Sequence, residues 1–352
     1  MYLCGIGTAT PAPRYEQNQC WEAFEHSTQF AELTSRSRAI LKKVLLGKNG
    51  IAARHLALDP LSEVFEINPD ALHQRFLKHA PALATEAAER ALTDAKISAS
   101  QIDAVLISTC TGYVCPGLTS YVSERLGLRP NVFALDLVGQ GCGAALPNLR
   151  AAQNLIFSNQ SKNVLSICVE VCSAAFYLDN DPGVLISACL FGDGAGAVVL
   201  SDKLDPKRRS VQWKNFHTEL YPANRDLLRF EQKNGMLRNI LSPQVPPLAA
   251  QAAKKVLEEA LREAAREPSE ISTWILHAGG RDVLLALQQK LNLSSQDVCW
   301  SAGILREFGN LSSPFVLFVL EKALRENAPG GLWWMASFGA GFSSHGALLE
   351  VE

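Results

Sequence analysis

The chain has no long apolar segment and no excess of positive charge. Its longest strongly apolar run, PFVLFVL, is far shorter than the roughly 20 residues that span a bilayer. The formal net charge is −2, so the sequence carries no basic footprint for nucleic acid or for an anionic membrane. The first residues, MYLCGIGTATPAPR, do not have the pattern of a signal peptide. We therefore expect a soluble cytoplasmic protein.

The nine cysteines form neither a disulfide framework nor a metal-binding motif. Their number is odd, and Cys110, Cys168 and Cys189 lie inside apolar runs, which predicts reduced cysteines in the core. The pairs Cys110/Cys115 and Cys168/Cys172 lack the short-loop spacing of zinc ligands. The motifs GQGCG and FGDGAG lack the downstream acidic residue or the following helix of a dinucleotide site. We expect no metal, nicotinamide or flavin cofactor.

Apolar residues are abundant: 47% of the chain is hydrophobic and 19% is charged, as in a well-packed globular protein. Short β-branched runs alternate with longer Ala-rich helical patterns, which predicts an α/β fold. Four strands, each buried on both faces, are predicted at 103–110, 131–137, 163–171 and 194–201. Helices are predicted around 81–95 and 142–158.

The same order of elements recurs in the second half of the chain. An amphipathic helix at 246–265 is followed by strands in STWILHAGG and DVCWSAG, then by a helix led by Gly309 and a glycine-rich strand hairpin at 331–351. We therefore predict two pseudo-duplicated halves, 1–201 and 211–352, joined by the polar linker DKLDPKRRS.

This duplication superimposes Cys142 on Asn310, each at the N-terminal end of a buried helix. Equivalent loops of a two-fold repeat face each other, so the two residues would converge. His277 ends an apolar strand at the position that Cys110 has in the first half. A thiol at a helix N-terminus, especially beside a histidine, has its pKa lowered from about 8.5 to roughly 3.5–7.5. We therefore predict a thiolate at Cys142, where the flanking glycines leave room for a thioester.

Cys142, His277 and Asn310 together fit two enzyme classes. A papain-like protease carries its cysteine near the start of the mature chain in a Trp-flanked motif, whereas this cysteine is central and lies in GQGCGAA. In a decarboxylating Claisen condensation the cysteine is acylated, while His and Asn donate hydrogen bonds to a thioester oxygen. Taken alone, His277 is typical of a core histidine and Asn310 of a helix N-cap. The set of three favours the condensing enzyme.

Ordered motifs along nearly the whole chain resemble the type III polyketide synthases, the chalcone synthase-like branch of the thiolase superfamily. The motifs are GIGTATPAP, STCTGYVCPG, GQGCGAAL, LFGDGAGAVVL, LHAGGRDVL, FGNLSSPFVLFVLEKAL and SFGAGFS. The resemblance implies a five-layered αβαβα fold, a homodimer, and acyl-CoA and malonyl-CoA as substrates without a further cofactor. A ketoacyl-ACP synthase III and a catalytically silent partner subunit of the same fold remain as alternatives.

The resemblance also implies roles for residues of the site. Cys142 would carry the starter and the growing chain as thioesters. His277 would keep Cys142 ionised and, with Asn310, would bind the malonyl thioester carbonyl. Phe191 in LFGDG matches a gate phenylalanine between the coenzyme A tunnel and the cavity, and Ser312 matches a cavity-lining serine.

Two further residues match family positions outside the catalytic residues and the cavity. Lys48 in LGKNG matches a cation for the coenzyme A phosphates. Cys115 in CTGYVCPG matches a loop residue that reaches into the cavity of the neighbouring subunit. Without the resemblance, Lys48 would be a solvated surface charge and Cys115 a buried loop thiol.

Three departures from the plant pattern bear on the product. Residues 235–247, where a second gate phenylalanine is expected, contain no aromatic residue. Cys172 and Ala175 stand where plant enzymes carry threonines, and Ala340 replaces a usual proline. These changes favour a bacterial-type enzyme with an aliphatic starter and an alkylpyrone or alkylresorcinol product. A small aromatic polyketide is the alternative product.

Overall fold

The computed structural model describes all 352 residues of the chain. Strands β1 to β13 are Tyr2–Ala9, Arg14–Glu16, Ala53–His55, Ala104–Ser108, Phe133–Leu137, Asn163–Glu170, Gly194–Ser201, Val211–Leu220, Leu228–Lys233, Met236–Leu241, Ile271–Leu276, Gly331–Gly339 and Ser343–Val351. Helices α1 to α11 are Gln17–Glu25, Thr28–Glu32, Ser35–Leu46, Pro69–Ala95, Leu118–Leu126, Ala145–Phe157, Pro182–Leu190, Val245–Ala264, Arg281–Leu291, Cys299–Phe308 and Phe315–Arg325. None of these helices is long and apolar enough to cross a membrane.

Nine strands form one continuous sheet in the order β11-β12-β13-β8-β1-β7-β6-β4-β5. In the first half, β1, β7 and β6 are antiparallel neighbours, and β6 runs parallel to β4. In the second half, β8, β13 and β12 are antiparallel neighbours, and β12 runs parallel to β11. The halves meet where Tyr2 of β1 pairs with Gln212 of β8. The same strand pattern therefore occurs twice, and the boundaries 1–201 and 211–352 stay a prediction.

Two helices lie between the half-sheets. Helix α6 packs on β4 and β6 of the first half and on β12 and β13 of the second. Helix α11 packs on β1 and β7 and also on β11 and β12, and its residues 315–321 are all buried. A helix that is apolar on all sides is typical of such a central layer. Helices α4 and α8 cover the outer faces, so the layers are αβαβα and the predicted fold class is confirmed.

Small residues allow α4 to lie very close to β1. A Cβ at Gly5 would lie 2.2 Å from the carbonyl oxygen of Ala91, and one at Gly7 would lie 2.6 Å from that of Ala87. The alanines of this helix face are fully buried, so the GIGTA strand and the Ala-rich helix fit each other. The helix also begins earlier than predicted, at Pro69, and continues through Pro81.

Two sequence predictions about single elements were wrong. The segment DVCWSAG was predicted as a strand but forms the start of α10, because Val298, Ser301 and Ile304 are buried at helical spacing. Strand β5 was predicted to be buried on both faces. It is instead the edge strand of the sheet, and Phe133 is 48% and Leu135 38% exposed.

Candidate active site

Cys142 lies in a single 3-10 turn, Gly141–Gly143, between β5 and α6. The flanking glycines pack against the loop that joins β12 and β13. A Cβ at Gly141 would lie 3.0 Å from the amide nitrogen of Ala340, and one at Gly143 would lie 3.0 Å from that of Gly339. These glycines therefore allow the two halves to approach closely around Cys142, and the room they leave for a thioester stays a prediction.

His277 and Asn310 are supplied by the second half. His277 follows β11 directly, and its amide donates a hydrogen bond to the carbonyl of Ala336 on β12 at 2.9 Å. Asn310 lies on an extended bridge beside Phe191, where its amide donates to the carbonyl of Leu190 at 2.8 Å. The carbonyl of Asn310 accepts from the amide of Gly192 at 3.0 Å. Loops of both halves thus hold these residues in place.

A chain of hydrogen bonds joins Cys142 to Asn310, and His277 lies beside its last member, Gly279. The Ser312 hydroxyl donates to the Cys142 sulfur at 3.2 Å, and the Ser312 amide donates to Oδ1 of Asn310 at 2.8 Å. Nδ2 of Asn310 donates to the carbonyl of Gly279 at 3.1 Å. A Cβ at Gly279 would lie 3.7 Å from Nε2 of His277 and 3.9 Å from Nδ2 of Asn310, so both nitrogens face this glycine. Cys142, His277 and Asn310 therefore belong to one site.

Burial dominates the protonation of the site. It raises the pKa of the Cys142 thiol to about 12, and the hydrogen bond from Ser312 opposes this increase. Burial also lowers the pKa of His277 to about 3, so the imidazole is neutral. The sulfur makes no hydrogen bond to His277. Burial therefore opposes the low thiol pKa expected from the sequence, and an ionised Cys142 stays a prediction.

A buried carboxyl group that sequence reasoning missed lies beside these residues. Glu170 ends β6, is fully buried and accepts hydrogen bonds from the Ser313 hydroxyl at 2.6 Å, the Thr111 hydroxyl at 2.9 Å and the Cys110 amide at 3.0 Å. Burial raises its pKa, and the hydrogen bonds oppose that effect. The one charged residue in the apolar run NVLSICVEV was a signal that could have identified it.

Cys110 was assigned to the core, and this prediction was wrong. Its sulfur lies 3.3 Å from Oε1 of Glu170 and 3.5 Å from the hydroxyl of Ser312. That same hydroxyl donates to Cys142, so two thiols flank one serine. Burial raises the pKa of Cys110 well above its usual value, which keeps this thiol neutral.

A mainly apolar cavity adjoins the site. Fifteen of its 21 lining residues are hydrophobic, which makes it suited to an apolar chain. Four residues predicted from the resemblance line it: Cys172, Ala175, Phe191 and Ser312. The cavity is narrow: a water molecule fits in about 50 Å³ of it. Further lining comes from α1 and from the segment after β3, namely Cys20, Ala23, Phe24, Leu56, Leu58, Leu61 and Val64.

The β9–β10 hairpin supplies an aromatic residue that was not expected. Residues 235–247 contain none, but Phe230 on β9 lines the cavity, paired across the hairpin with Asn239 on β10. Phe191 is fixed from the opposite side, because the buried guanidinium of Arg54 donates to its carbonyl at 3.0 Å. Phe191 and Phe230, from two separate segments, therefore both line the cavity.

Lys48 and Cys115 do not line the cavity. Lys48 is exposed, and its carbonyl accepts a hydrogen bond from the guanidinium of Arg281, two residues after Gly279. Cys115 is exposed and precedes a cis proline, Pro116. Lys48 is thus near the outer edge of the site, whereas Cys115 has no contact with Cys142 in the same chain.

Family models match the two parts of the chain in succession. Residues 4–218 match the FAE1/type III polyketide synthase-like family, and residues 219–349 match the C-terminal domain of chalcone and stilbene synthases. The chain belongs to the type III polyketide synthase family. Type III polyketide synthases are malonyl-CoA-dependent condensing acyltransferases, so the chain is an enzyme of this class.

Two curated relatives extend over the whole chain. It is 28% identical to the alpha-pyrone synthesis polyketide synthase-like Pks18 of Mycobacterium tuberculosis, over 98% of this chain and 90% of that protein. It is also 28% identical to the 3,5-dihydroxyphenylacetyl-CoA synthase of Streptomyces toyocaensis, over 99% of this chain and 89% of that protein. The resemblance therefore does not depend on one isolated motif.

Solved structures show the same fold. The chain superimposes on PKS-I from the brown alga Ectocarpus siliculosus with a TM-score of 0.91 and 24% identity, covering 99% of this chain and 98% of that one. It superimposes on the 1,3,6,8-tetrahydroxynaphthalene synthase of Streptomyces coelicolor with a TM-score of 0.89 and 23% identity, covering 100% and 99%. At this level of identity the likeness concerns the fold.

Proposed function

We propose that this type III polyketide synthase loads an aliphatic acyl starter on Cys142, extends it with malonyl-CoA, and releases an alkylpyrone or alkylresorcinol. The observation that carries the proposal is the apolar cavity that adjoins the site. Its lining includes Phe24, Leu58 and Val64, which offer no hydrogen bond to a polar starter. A relative whose name states alpha-pyrone synthesis supports the pyrone form of the product.

In the loading step the Cys142 sulfur attacks the thioester carbonyl of the acyl-CoA. The sulfur–carbon bond to coenzyme A breaks, and the proton of the Cys142 thiol ends on the departing coenzyme A sulfur. Because burial holds the pKa of Cys142 at about 12, the proton leaves only as the thioester is attacked. The Ser312 hydroxyl, 3.2 Å away, stabilises negative charge on the sulfur.

In the extension step malonyl-CoA loses carbon dioxide, and the resulting enolate attacks the acyl group on Cys142. The bond between the acyl carbon and the Cys142 sulfur breaks, the released thiolate takes a proton from solvent, and a β-ketoacyl-CoA forms. We assign Nδ2 of Asn310 and Nε2 of His277 to the enolate oxygen, since both nitrogens face Gly279. A neutral His277 suits this role because it donates a hydrogen bond without transferring a proton. Its Nδ1 has no partner, so Nε2 can carry the hydrogen.

Two polar atoms in the apolar cavity are suited to the growing chain. Oδ1 of Asn239 and the hydroxyl of Ser187 are buried without a hydrogen-bond partner, and both residues line the cavity. Buried polar groups are ordinarily paired, so these atoms are free for a ligand. We assign the Ser187 hydroxyl and the Asn239 amide to the polyketide part of the chain, while the apolar lining holds the alkyl part.

We also propose a homodimer in which a second copy covers β5. This edge strand exposes Phe133 and Leu135. Val138, directly after β5, is 57% exposed, and Tyr113, in the loop after the neighbouring strand β4, is 72% exposed. An exposed apolar edge strand ordinarily pairs or is covered. Cys115 lies in the loop beside Tyr113, so such a dimer would bring it towards the partner.

The test of the function is product formation by the purified protein. It would be incubated with malonyl-CoA and acetyl-, hexanoyl-, decanoyl-, myristoyl-, benzoyl- and coumaroyl-CoA, and the products identified by mass spectrometry. We expect tri- or tetraketide alkylpyrones or alkylresorcinols from the decanoyl and myristoyl starters. Turnover of aromatic starters alone would overturn the aliphatic assignment, and a strict need for malonyl-ACP would indicate a ketoacyl-ACP synthase III.

A second measurement tests the dimer. Sedimentation equilibrium should give twice the mass of the chain for the wild type and a monomer for Phe133→Lys. A monomeric wild-type protein would contradict the proposed interface.

A further inference from the structure

Helix α3 and the segment after it concentrate positive charge. Between Leu33 and Leu58 the chain has no Asp or Glu but six Lys and Arg residues. Four of these cations lie on α3, and none of the four has a carboxylate within salt-bridge distance. In a protein of net charge −2, this helix therefore concentrates positive charge that no ion pair within the chain compensates.

The outward side of α3 has an ordered pattern. Arg36 and Lys43 are seven residues apart and so lie along one edge of the helix, and Arg38 and Lys42 lie along the other edge. Between the two edges lie small or apolar side chains, including Leu46, which is 48% exposed. We name this surface the cationic face of α3: Arg36, Arg38, Ala39, Lys42, Lys43 and Leu46.

Two of the four cations of this face contact aromatic rings, and two do not. Arg38 lies over the ring of Phe30 at 5.8 Å, and Lys42 lies over the ring of Trp21 at 5.5 Å. These contacts hold two of the charges in position. Arg36 and Lys43 are exposed and have neither an aromatic nor an acidic partner. The face therefore combines two positioned charges with two that are free to pair.

The C-terminal end of the face lies at the edge of the active site. Lys48 lies two residues after α3, and its carbonyl accepts a hydrogen bond from the Arg281 guanidinium. Arg281 follows Gly279 by two residues, and Gly279 accepts the hydrogen bond of Asn310. A partner bound to α3 would thus lie next to the segment 279–281, which contacts Asn310.

We propose that the cationic face of α3 docks a small acidic carrier protein, which presents the starter acyl group as a thioester on a phosphopantetheine arm. An acidic amphipathic helix matches the face, because its carboxylates would meet the two cationic edges and its apolar side chains would meet Leu46. The inference rests on the proposed function, since it names the form in which the starter arrives.

The dimensions favour a carrier protein over coenzyme A as the occupant. The 12 residues of α3 extend over about 18 Å, and Arg36 lies at the end remote from Lys48. A nucleotide whose phosphates contact Lys48 would leave Arg36 and Arg38 unused. An anionic membrane is a weaker match, because Leu46 is the one large apolar side chain among the exposed residues of the helix.

The test compares two carriers of one acyl group. Rates would be measured with decanoyl-CoA and with the decanoyl thioester of a fatty-acid synthase acyl carrier protein, for the wild type and for Arg36→Glu/Lys43→Glu. We expect the variant to lower kcat/KM at least tenfold with the acyl carrier protein and less than twofold with decanoyl-CoA. The matched control, Arg262→Glu/Lys290→Glu, makes the same charge change on exposed residues of α8 and α9 and should alter neither rate.

Binding of the apo carrier protein, which lacks the arm, isolates the surface contact. Fluorescence anisotropy should show binding to the wild type that weakens with salt and is lost in the α3 variant. Equal loss with both decanoyl thioesters would assign the face to coenzyme A. Unchanged kcat/KM with the carrier protein, or a loss confined to binding of phosphatidylglycerol vesicles, would likewise overturn the proposal. Failure of the wild type to use any acyl-CoA would instead contradict the proposed function.

Discussion

The hydroxyl of Ser312 donates to the sulfur of Cys142 across 3.2 Å, and this contact joins the two halves of the molecule. Ser312 holds a left-handed backbone, with φ of 59°, that non-glycine residues rarely adopt. Its amide is tied to Oδ1 of Asn310, so the strained backbone directs the hydroxyl towards the sulfur. This hydrogen bond is the side-chain contact that opposes the effect of burial on the Cys142 pKa.

Ser312→Ala should therefore slow starter loading. Without the donor, the thiolate loses a stabilising hydrogen bond, and the pKa of Cys142 rises further. A rise of one pKa unit corresponds to about 1.4 kcal/mol, or a tenfold lower thiolate fraction. Single-turnover acylation by decanoyl-CoA, followed by intact mass, measures the effect. Ser313→Ala is the matched control, because Ser313 contacts Glu170 and not the sulfur; equal loss in both variants would contradict the assignment.

Alkylation of Cys142 should depend steeply on pH. With a pKa of about 12, the thiolate fraction grows about tenfold per pH unit from pH 7 to 10, whereas an ordinary thiol would level off near pH 9. Peptide mass spectrometry after iodoacetamide treatment follows each cysteine separately. In the monomeric Phe133→Lys variant the exposed Cys115 serves as the internal control and should react first at pH 7. Selective labelling of Cys142 at neutral pH would show that its pKa is not raised.

Asn310→Asp should separate decarboxylation from loading. The carboxylate keeps the acceptor for the Ser312 amide but loses the Nδ2 donor assigned to the enolate oxygen. Removing such a donor typically costs 10²–10³ in rate. We expect malonyl-CoA decarboxylation to fall by that factor, while acylation of Cys142 changes less than fivefold.

The matched control for this change is Asn327→Asp, the same substitution at the exposed C-terminal end of α11. Its decarboxylation rate should equal that of the wild type. A parallel fall of loading and decarboxylation in Asn310→Asp would indicate that the residue only maintains the structure.

The layers of the fold could be predicted because each depends on a local pattern. The all-apolar α11 and the Ala-rich face of α4 are visible in the sequence, and so is the repeat that pairs Cys142 with Asn310. The exposure of β5 could not be predicted, because an edge strand and a central strand have the same apolar composition. Whether a strand lies at the edge is decided by the order of the whole sheet.

The residue types of the site could be predicted, but their electrostatics could not. The glycines beside Cys142 indicated a helix start, for which a low thiol pKa is typical. The structure adds the partial burial of Cys142 and a buried carboxyl group at Glu170. The Glu170 carboxyl is held by Ser313, which is more than 100 residues away in the sequence. Sequence patterns do not report such contacts.

Ala23→Phe should shorten the accepted starter. Ala23 lines the cavity from α1, and a phenyl ring there would fill space assigned to the alkyl chain. We expect kcat/KM for myristoyl-CoA to fall at least tenfold and that for acetyl-CoA to stay within twofold. Ala31→Phe, on the exposed side of α2, is the matched control and should alter neither value. Equal use of both starters by Ala23→Phe would show that the alkyl chain lies elsewhere.

Asn239→Leu should change the product and leave the fold intact. Oδ1 of Asn239 is buried without a partner, so replacing the amide by an apolar group of similar size removes an unsatisfied acceptor, and Tm should stay the same or rise. The polyketide chain loses a polar contact, so the product distribution, measured by liquid chromatography and mass spectrometry with decanoyl-CoA, should move to fewer extensions. Asn215→Leu is the matched control: its Oδ1 is also buried without a partner, but it lies on β8 outside the cavity. A product shift in both variants would mean that the change acts through stability and not through contact with the chain.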